Sequence, residues 1–557
     1  MIFKVFTFFN LNSLSRCSFI FCSAVIILPI LGIVFLTTQI VFDEELFDSL
    51  VYSLLSQYTV NTLILCVGTG FIAFTFSVPT AWILSRYNFL GKKIIEVLAI
   101  LPMAMPAYIM AYAYTDAFDY SGWISIMVKD YLFSAGIIND PILERVFWPE
   151  IRSMPGACFI LGVALSPYLI LLARGAFQKR QIQLIEAAMG MGVSSYRIFF
   201  KVVLPLARPA IIAGLSLILM ECLSDYGTVS YFSVQTLSTG LYKAWLGYGD
   251  VNIASIIAVV IFCFALFLII SDKYLSSSQY KLVEDEKSSQ NFLKIGGIKT
   301  LSMIFISSLS GIFGFIVPFT LLLKAAADHF LFSLTPLDNI DKEVFWSSLN
   351  SLFLASGSLI IIIFFSWIVA FTLRQNNSKI MLFIVEILCS TYAIAGLVLA
   401  LSLLTLSGFL SNLIFLVSGI NIIFTTSSFI LFLAYVSRFF AVGFKPINSR
   451  YYLISKNIDF SAQSMGLSPT EIFSRLHLPL LWQASLIAGT LVFLDVLKEL
   501  PATLVLRPLD FETLAISAYG YANDENLGMA AIPSLVLVTL AIIPIAILAN
   551  ELKKLSR

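Results

Sequence analysis

Four acidic side chains stand where an apolar sequence makes charge costly. Glu221 and Asp225 lie four residues apart at the end of the apolar segment 206–226, and Asp495 and Glu499 repeat that spacing in 483–503. Residues four apart share a helical face, so each pair presents two carboxylates together. A charge at the centre of a membrane helix costs at least about 2.5–3.5 kcal/mol, so such groups face protein or water. Carboxylate oxygens suit hard cations, and Tyr226 adds a phenolic oxygen beside Asp225. Glu221, Asp225, Tyr226, Asp495 and Glu499 thus form a candidate acidic translocation path. The same spacing fits acids that pair with Lys498 or cap helix ends, and both readings stand at this point. Pro205 and Asp225 are separated by about 30 Å of helix at 1.5 Å per residue. That length predicts Asp225 and Glu499 near an outer mouth, with Glu221 and Asp495 one turn deeper.

The acids belong to an internal repeat. EAAMGMGVSSYRIFFKVVLPL, from Glu186, and FSAQSMGLSPTEIFSRLHLPL, from Phe460, align Met191 with Met465, Gly192 with Gly466, Leu204 with Leu478 and Pro205 with Pro479. The same offset carries Glu221 onto Asp495 and Asp225 onto Glu499. In each copy the spacing predicts a helix broken at glycine, where unusual φ is allowed. A serine then caps a helix from about Tyr196 or Thr470, and a proline follows where a first helical turn tolerates it. The result is a short element able to dock into a partner.

Composition fixes what positions these residues. Of 557 residues 59% are hydrophobic and 12% charged, and the mean hydropathy is +0.93; soluble proteins run near about 45–50% and about 25%. A string of soluble domains is excluded. The net charge of +1 gives no case for nucleic acid. Seven cysteines without a C-x-x-C and two distant histidines, His329 and His477, predict no metal centre. No G-x-x-x-x-G-K-[ST] loop occurs, so if ATP drives this protein another chain hydrolyses it.

Spans are predicted at 17–40, 60–84, 93–115, 155–174, 206–226 and 253–271, then at 301–323, 348–373, 380–404, 422–443, 483–503 and 529–549. The chain thus reads as an all-α polytopic membrane protein of about 12 transmembrane helices in two parallel six-helix repeats. Its predicted organisation is an N-terminal first span and periplasmic loop (1–57), a first repeat (58–271), a cytoplasmic linker (272–300), a first span and loop of the second half (301–345) and a second repeat (346–550). With the N-terminus inside, about three-quarters of the 34 lysines and arginines fall on the cytoplasmic side, Arg438 counted among them, which predicts both termini there. Pro102 and Pro106 predict a kink. Glu96 and Glu386 are expected to neutralise Lys92, Lys93 and Lys379.

The repeated segment resembles the cytoplasmic coupling motif of ABC importer permeases, EAA-x3-G-x9-[IV]-x-LP. The first copy runs from Glu186-Ala187-Ala188 through Gly192 to Val202, Leu204 and Pro205. The second has Phe460-Ser461-Ala462 in place of Glu-Ala-Ala, with Asp459 one residue early, and keeps Gly466, Leu478 and Pro479. Stretches 101–122, 224–245 and 498–515 are similar to the fused, double-length permeases of binding-protein-dependent iron(III) importers. The resemblance implies a type I importer permease fold in a bacterial inner membrane, with two ABC ATPase subunits below and a periplasmic iron(III)-binding protein above. It implies no cofactor in this chain and no enzymatic activity of its own. Related thiamine permeases share the double-length layout, so thiamine or another small solute is the alternative cargo. An ion-coupled secondary transporter is the alternative of a different class, and the paired cytoplasmic motifs argue against it.

Overall fold

The computed structural model describes residues 13–40, 54–135, 148, 150–178, 187–276, 293–294, 297–332, 337–376, 378–419 and 427–555. Among them ten helices are long and apolar enough to cross a membrane, or up to twelve if two bent helix pairs each count as one span. Helices are what an apolar chain must form in lipid, because every backbone N–H then finds its acceptor within the segment. The β structure among the described residues is a two-residue parallel pair, Tyr87–Asn88 with Leu293–Lys294.

The first half comprises α1 (Ser13–Gln39), α2 (Ser56–Arg86), α3 (Lys92–Leu98), α4 (Ala107–Phe118), α5 (Trp123–Ser134), α6 (Met154–Ala164), α7 (Ser166–Gln178), α8 (Ser195–Ile198), α9 (Leu204–Ser224), α10 (Gly227–Tyr231), α11 (Leu237–Tyr242) and α12 (Val251–Ser276). The second comprises α13 (Ile298–Gly311), α14 (Val317–Phe332), α15 (Leu337–Gln375), α16 (Lys379–Ser390), α17 (Gly396–Ser418), α18 (Ser428–Tyr452), α19 (Lys456–Ser464), α20 (Pro469–Ile472), α21 (Leu478–Leu497), α22 (Pro501–Leu506), α23 (Leu514–Asn523) and α24 (Leu527–Leu555).

The halves interlock. α1 packs chiefly on α15, α17 and α18 of the second half, and α13–α14 pack on α2 and α4 of the first as well as on α24. One core joins Phe19, Ile26 and Ile33 to Leu397, Ala400 and Phe440; another joins Ile109 and Tyr112 to Leu494, Leu500 and Leu537. Burial therefore ties the two repeats into one body.

Three predicted spans are not straight. The segment 93–115 breaks at a 3-10 turn, Leu101–Ala104, and the helices on either side diverge by 95°. Its counterpart, 380–404, breaks at Thr391–Ala393, and the crossing helix is α17. Pro106 (φ −58°, ψ 142°) and Ala395 (φ −58°, ψ 141°) share one backbone conformation at the two breaks, so the proline fits the kink without being its sole cause. The segment 155–174 bends by 45° between α6 and α7. Pro167 has no N–H for the carbonyl of Val163, and the Ser166 hydroxyl bonds that carbonyl at 2.8 Å instead.

Candidate functional site

α9 and α21 deliver the acids at their C-terminal ends, as the repeat requires. Glu221 accepts the hydroxyl of Tyr392, and Asp495 accepts that of Tyr168 at 2.9 Å. Both bonds cross between the halves. Lys498 sits 2.8 Å from Asp495 and donates to Tyr168 Oη at 2.9 Å. Asp225 caps α10: its Oδ2 accepts the N–H groups of Thr228 and Val229, each at 3.1 Å, and its Oδ1 accepts the Thr228 hydroxyl. Glu499 accepts the Ala502 N–H at 3.3 Å in the first turn of α22. The pairing and the capping that together made up one of the two readings are therefore both present: Asp495 is paired with Lys498, and Asp225 and Glu499 cap helices.

Further chain covers both acids that the helix length put near an outer mouth. After Asp225 and Glu499 it enters α10–α11 and α22–α23, whose Leu237, Leu241, Leu514 and Ile516 are buried, and Ser238 of α11 bonds the Asp225 carbonyl at 2.7 Å. Glu499 is only 7% exposed. Tyr226 is also buried, with its ring 4.5 Å from that of Tyr242 and its hydroxyl 3.4 Å from that of Tyr519.

Sequence reasoning misplaced Arg438. Rather than lying with the cations predicted on the cytoplasmic side, it is 2% exposed within the apolar helix α18. Its Nη1 lies 3.1 Å from Glu499 Oε1, and its Nη2 donates to Ser224 Oγ at 2.6 Å and lies 4.0 Å from Glu221 Oε2. The signal was present: an arginine inside a predicted span marks a functional position. Tyr108, Tyr168 and Tyr392 gave no comparable signal, because tyrosine is ordinary in apolar helices.

These groups surround a cavity of about 80 Å³ lined by Glu221, Asp225, Glu499, Arg438, Lys498, Tyr108 and the kink prolines Pro102 and Pro106. Tyr226 and Asp495 are not among its lining residues. Among the described residues no three His, Cys, Asp or Glu side chains converge closely enough to hold a metal ion.

The two repeated turns share one geometry. Gly192 has φ +78° and Gly466 φ +83°. Val193 N–H bonds the Ala188 carbonyl at 3.1 Å, and Leu467 N–H bonds that of Ala462 at 3.2 Å. This is the glycine-terminated helix end in which a left-handed residue lets the chain reverse. Ser468 caps α20 reciprocally with Glu471. The expected helix start at the prolines is corrected. α8 and α20 continue without interruption into α9 and α21 through π-helical turns, Phe199–Val203 and Phe473–His477. Pro205 and Pro479 each follow such a turn, whose wider ladder absorbs the missing donor. Ala187 is exposed and Ala188 buried at the first turn; Glu186 lies outside the described residues.

The second turn is anchored from within. Arg374 Nε lies 2.7 Å from Asp459, His477 Nε2 lies 2.8 Å from the other Asp459 oxygen, and Arg374 also donates to the carbonyls of Tyr451, Ile454 and Ser455. Burial works to raise the Asp459 carboxyl, but the hydrogen bonds from Arg374 and His477 outweigh it and hold the group below the usual carboxylate range. Elsewhere, Glu96 pairs with Arg174 at 2.7 Å and with Lys92 at 4.0 Å, and Glu386 pairs with Lys273 rather than Lys379.

A doubled bundle of membrane helices, carrying matched turns on one side and a charged cavity between the halves, is the architecture of a transport permease. Residues 74–277 match the family described as binding-protein-dependent transport system inner membrane component. The resemblance read from the coupling motif thus holds, and the chain is a multi-pass permease of ABC-type, binding-protein-dependent transport, a transporter subunit rather than a catalytic enzyme. It is similar to the Fe(3+)-transport system permease protein FbpB 2 of Haemophilus influenzae, 24% identical over 538 residues, which cover 94% of this chain and 95% of that protein. It is also similar to a probable sulfate transport system permease protein cysT of Chlorokybus atmophyticus, 27% identical over 40% of this chain and 74% of that one. The molybdenum transport system permease protein ModB of Haemophilus influenzae is 28% identical over 29% of this chain and 68% of its own length.

Proposed function

We propose that this chain is the translocation subunit of an ATP-driven importer for iron(III), which a periplasmic binding protein delivers. The observation that carries the cargo is the extent of the likeness to the Fe(3+) permease, which spans both halves of this chain, whereas the sulfate and molybdenum permeases align with less than half of it. Chemistry supports the same reading. The cavity is lined by three acidic residues and a tyrosine beside two cations, a donor set suited to a hard cation and poorly suited to an oxyanion.

In this reading the chain crosses the bacterial inner membrane with both termini in the cytoplasm. The turns at Gly192 and Gly466 each receive one ATPase subunit, which hydrolyses the ATP. Glu186, Ala187, Ala188, Gly192, Leu204 and Pro205 form the first docking element, and Gly466, Leu478 and Pro479 belong to the second. Glu221, Asp225 and Glu499 line the path, with Asp495 and Tyr226 in support. Uptake of radiolabelled ferric iron, in cells lacking this gene and complemented with it, tests the assignment. Uptake that depends on the chain is expected; uptake indifferent to it, with sulfate or thiamine transport lost instead, would overturn the cargo.

A further inference from the structure

Arg438 is accounted for neither by the coupling motif nor by the acidic repeat. Offset by the repeat, its position in the first half is held by Ala164, so the guanidinium is a feature of one half alone. It joins groups from both halves: Glu499 of its own, and Ser224 and Glu221 of α9 in the other. Backbone space is reserved for it. A Cβ at Gly396 would lie 2.5 Å from Arg438 Nη1 and 2.7 Å from Glu499 Oε1. Beside this group, Tyr108 lines the same cavity, and its buried hydroxyl has no hydrogen-bond partner among the described residues. Buried charge of this kind persists only while its partners hold it, and removing one partner strands the other.

We propose that Arg438 is the resident counter-cation of the path and the latch between its halves. With no cargo, its guanidinium occupies Glu221 and Glu499 and ties α18 to α9. A trivalent cation competes for the same oxygens with three times the charge, gains the Tyr108 oxygen as well, and displaces the guanidinium, so that the halves are released only when cargo is present. This deepens the iron(III) reading and rests on it for the identity of the displacing ion.

The test uses the permease reconstituted in liposomes with its ATPase subunits, and reads ATP hydrolysis first without and then with iron-loaded binding protein. Arg438→Gln is expected to raise the cargo-free rate by about tenfold, the shift produced by about 1.4 kcal/mol of lost closed-state preference, and to abolish further stimulation. Arg438→Lys keeps the charge and is expected to restore a low cargo-free rate, which a purely packing role would not predict. Ser224→Ala, a mild change, is expected to raise the rate part of the way. A wild-type cargo-free rate in assembled Arg438→Gln complexes overturns the latch. If that variant does not assemble, unchanged rates in both Ser224→Ala and Gly396→Ala overturn it equally. The cargo-free rate does not depend on what the cargo is. Failure of iron-loaded binding protein to stimulate the wild type therefore strikes the iron(III) reading and leaves the latch measurement intact.

Discussion

Tyr168 donates its hydroxyl to Asp495 at 2.9 Å from the opposite half of the protein, and Tyr392 does the same to Glu221, the repeat counterpart of Asp495. The two tyrosines are not themselves counterparts: the repeat offset carries Tyr168 onto Val442. The acids duplicated as residues, and their partners arose from different positions. A buried carboxylate needs a donor, and either half can supply one.

Tyr168→Phe and Tyr392→Phe each remove one donor and leave a carboxylate under-satisfied. A cost of about 1–3 kcal/mol is expected for each, seen as a lower midpoint of thermal unfolding in detergent. Combining Tyr392→Phe with Glu221→Gln should recover part of the loss, because the neutral amide needs less. Strict additivity of the two changes would show that the inter-half bond contributes nothing to stability.

Asp225 and Glu499 carry two duties that substitution separates. Asp225→Asn keeps a cap, since asparagine and aspartate rank equally there, whereas Asp225→Ala loses about 0.5–2 kcal/mol. Asp225→Asn with Glu499→Gln should leave the amount of assembled complex near normal while iron uptake per complex falls below that of either single variant. Unchanged normalised uptake in the double variant would make these acids scaffolding alone.

Gly192 and Gly466 have open space around the position of an added Cβ, so their need for glycine is conformational. Alanine in the left-handed region costs about 1–2 kcal/mol, and proline cannot adopt a positive φ at all. Gly192→Ala is expected to weaken co-purification of the ATPase and Gly192→Pro to abolish it with transport, with the same order at Gly466. Full retention of both properties in the proline variants would sink the docking assignment.

Asp459→Asn tests the internal anchor of the second turn. Losing charged hydrogen bonds to Arg374 and His477 costs about 1.5–3 kcal/mol each where the group is shielded, and α19 should loosen. Faster amide exchange over 456–467, with the first turn at 187–193 unaffected, is the expected signature. Equal exchange in variant and wild type would show that Arg374 holds α19 through the backbone carbonyls alone.

The amino-acid sequence by itself determined the membrane class, the duplication and the paired acids. Each of these is local or periodic: apolar length sets a span, a fixed offset sets a repeat, and spacing of four sets a helical face. It also carried both glycine turns, because a left-handed helix end leaves its mark in residue type. Only the tertiary structure decided what the acids meet. Tyr168 reaches Asp495, and Arg438 reaches Glu221, across the interlocked halves, and no periodicity links positions so far apart in the chain. The breaks at Thr391–Ala393 and the unbroken passage through Pro205 and Pro479 were decided in the same way. Proline and alanine set only a local preference, while packing at the break, chiefly against α18, and a widened π turn at the prolines accompany the bend and the unbroken run.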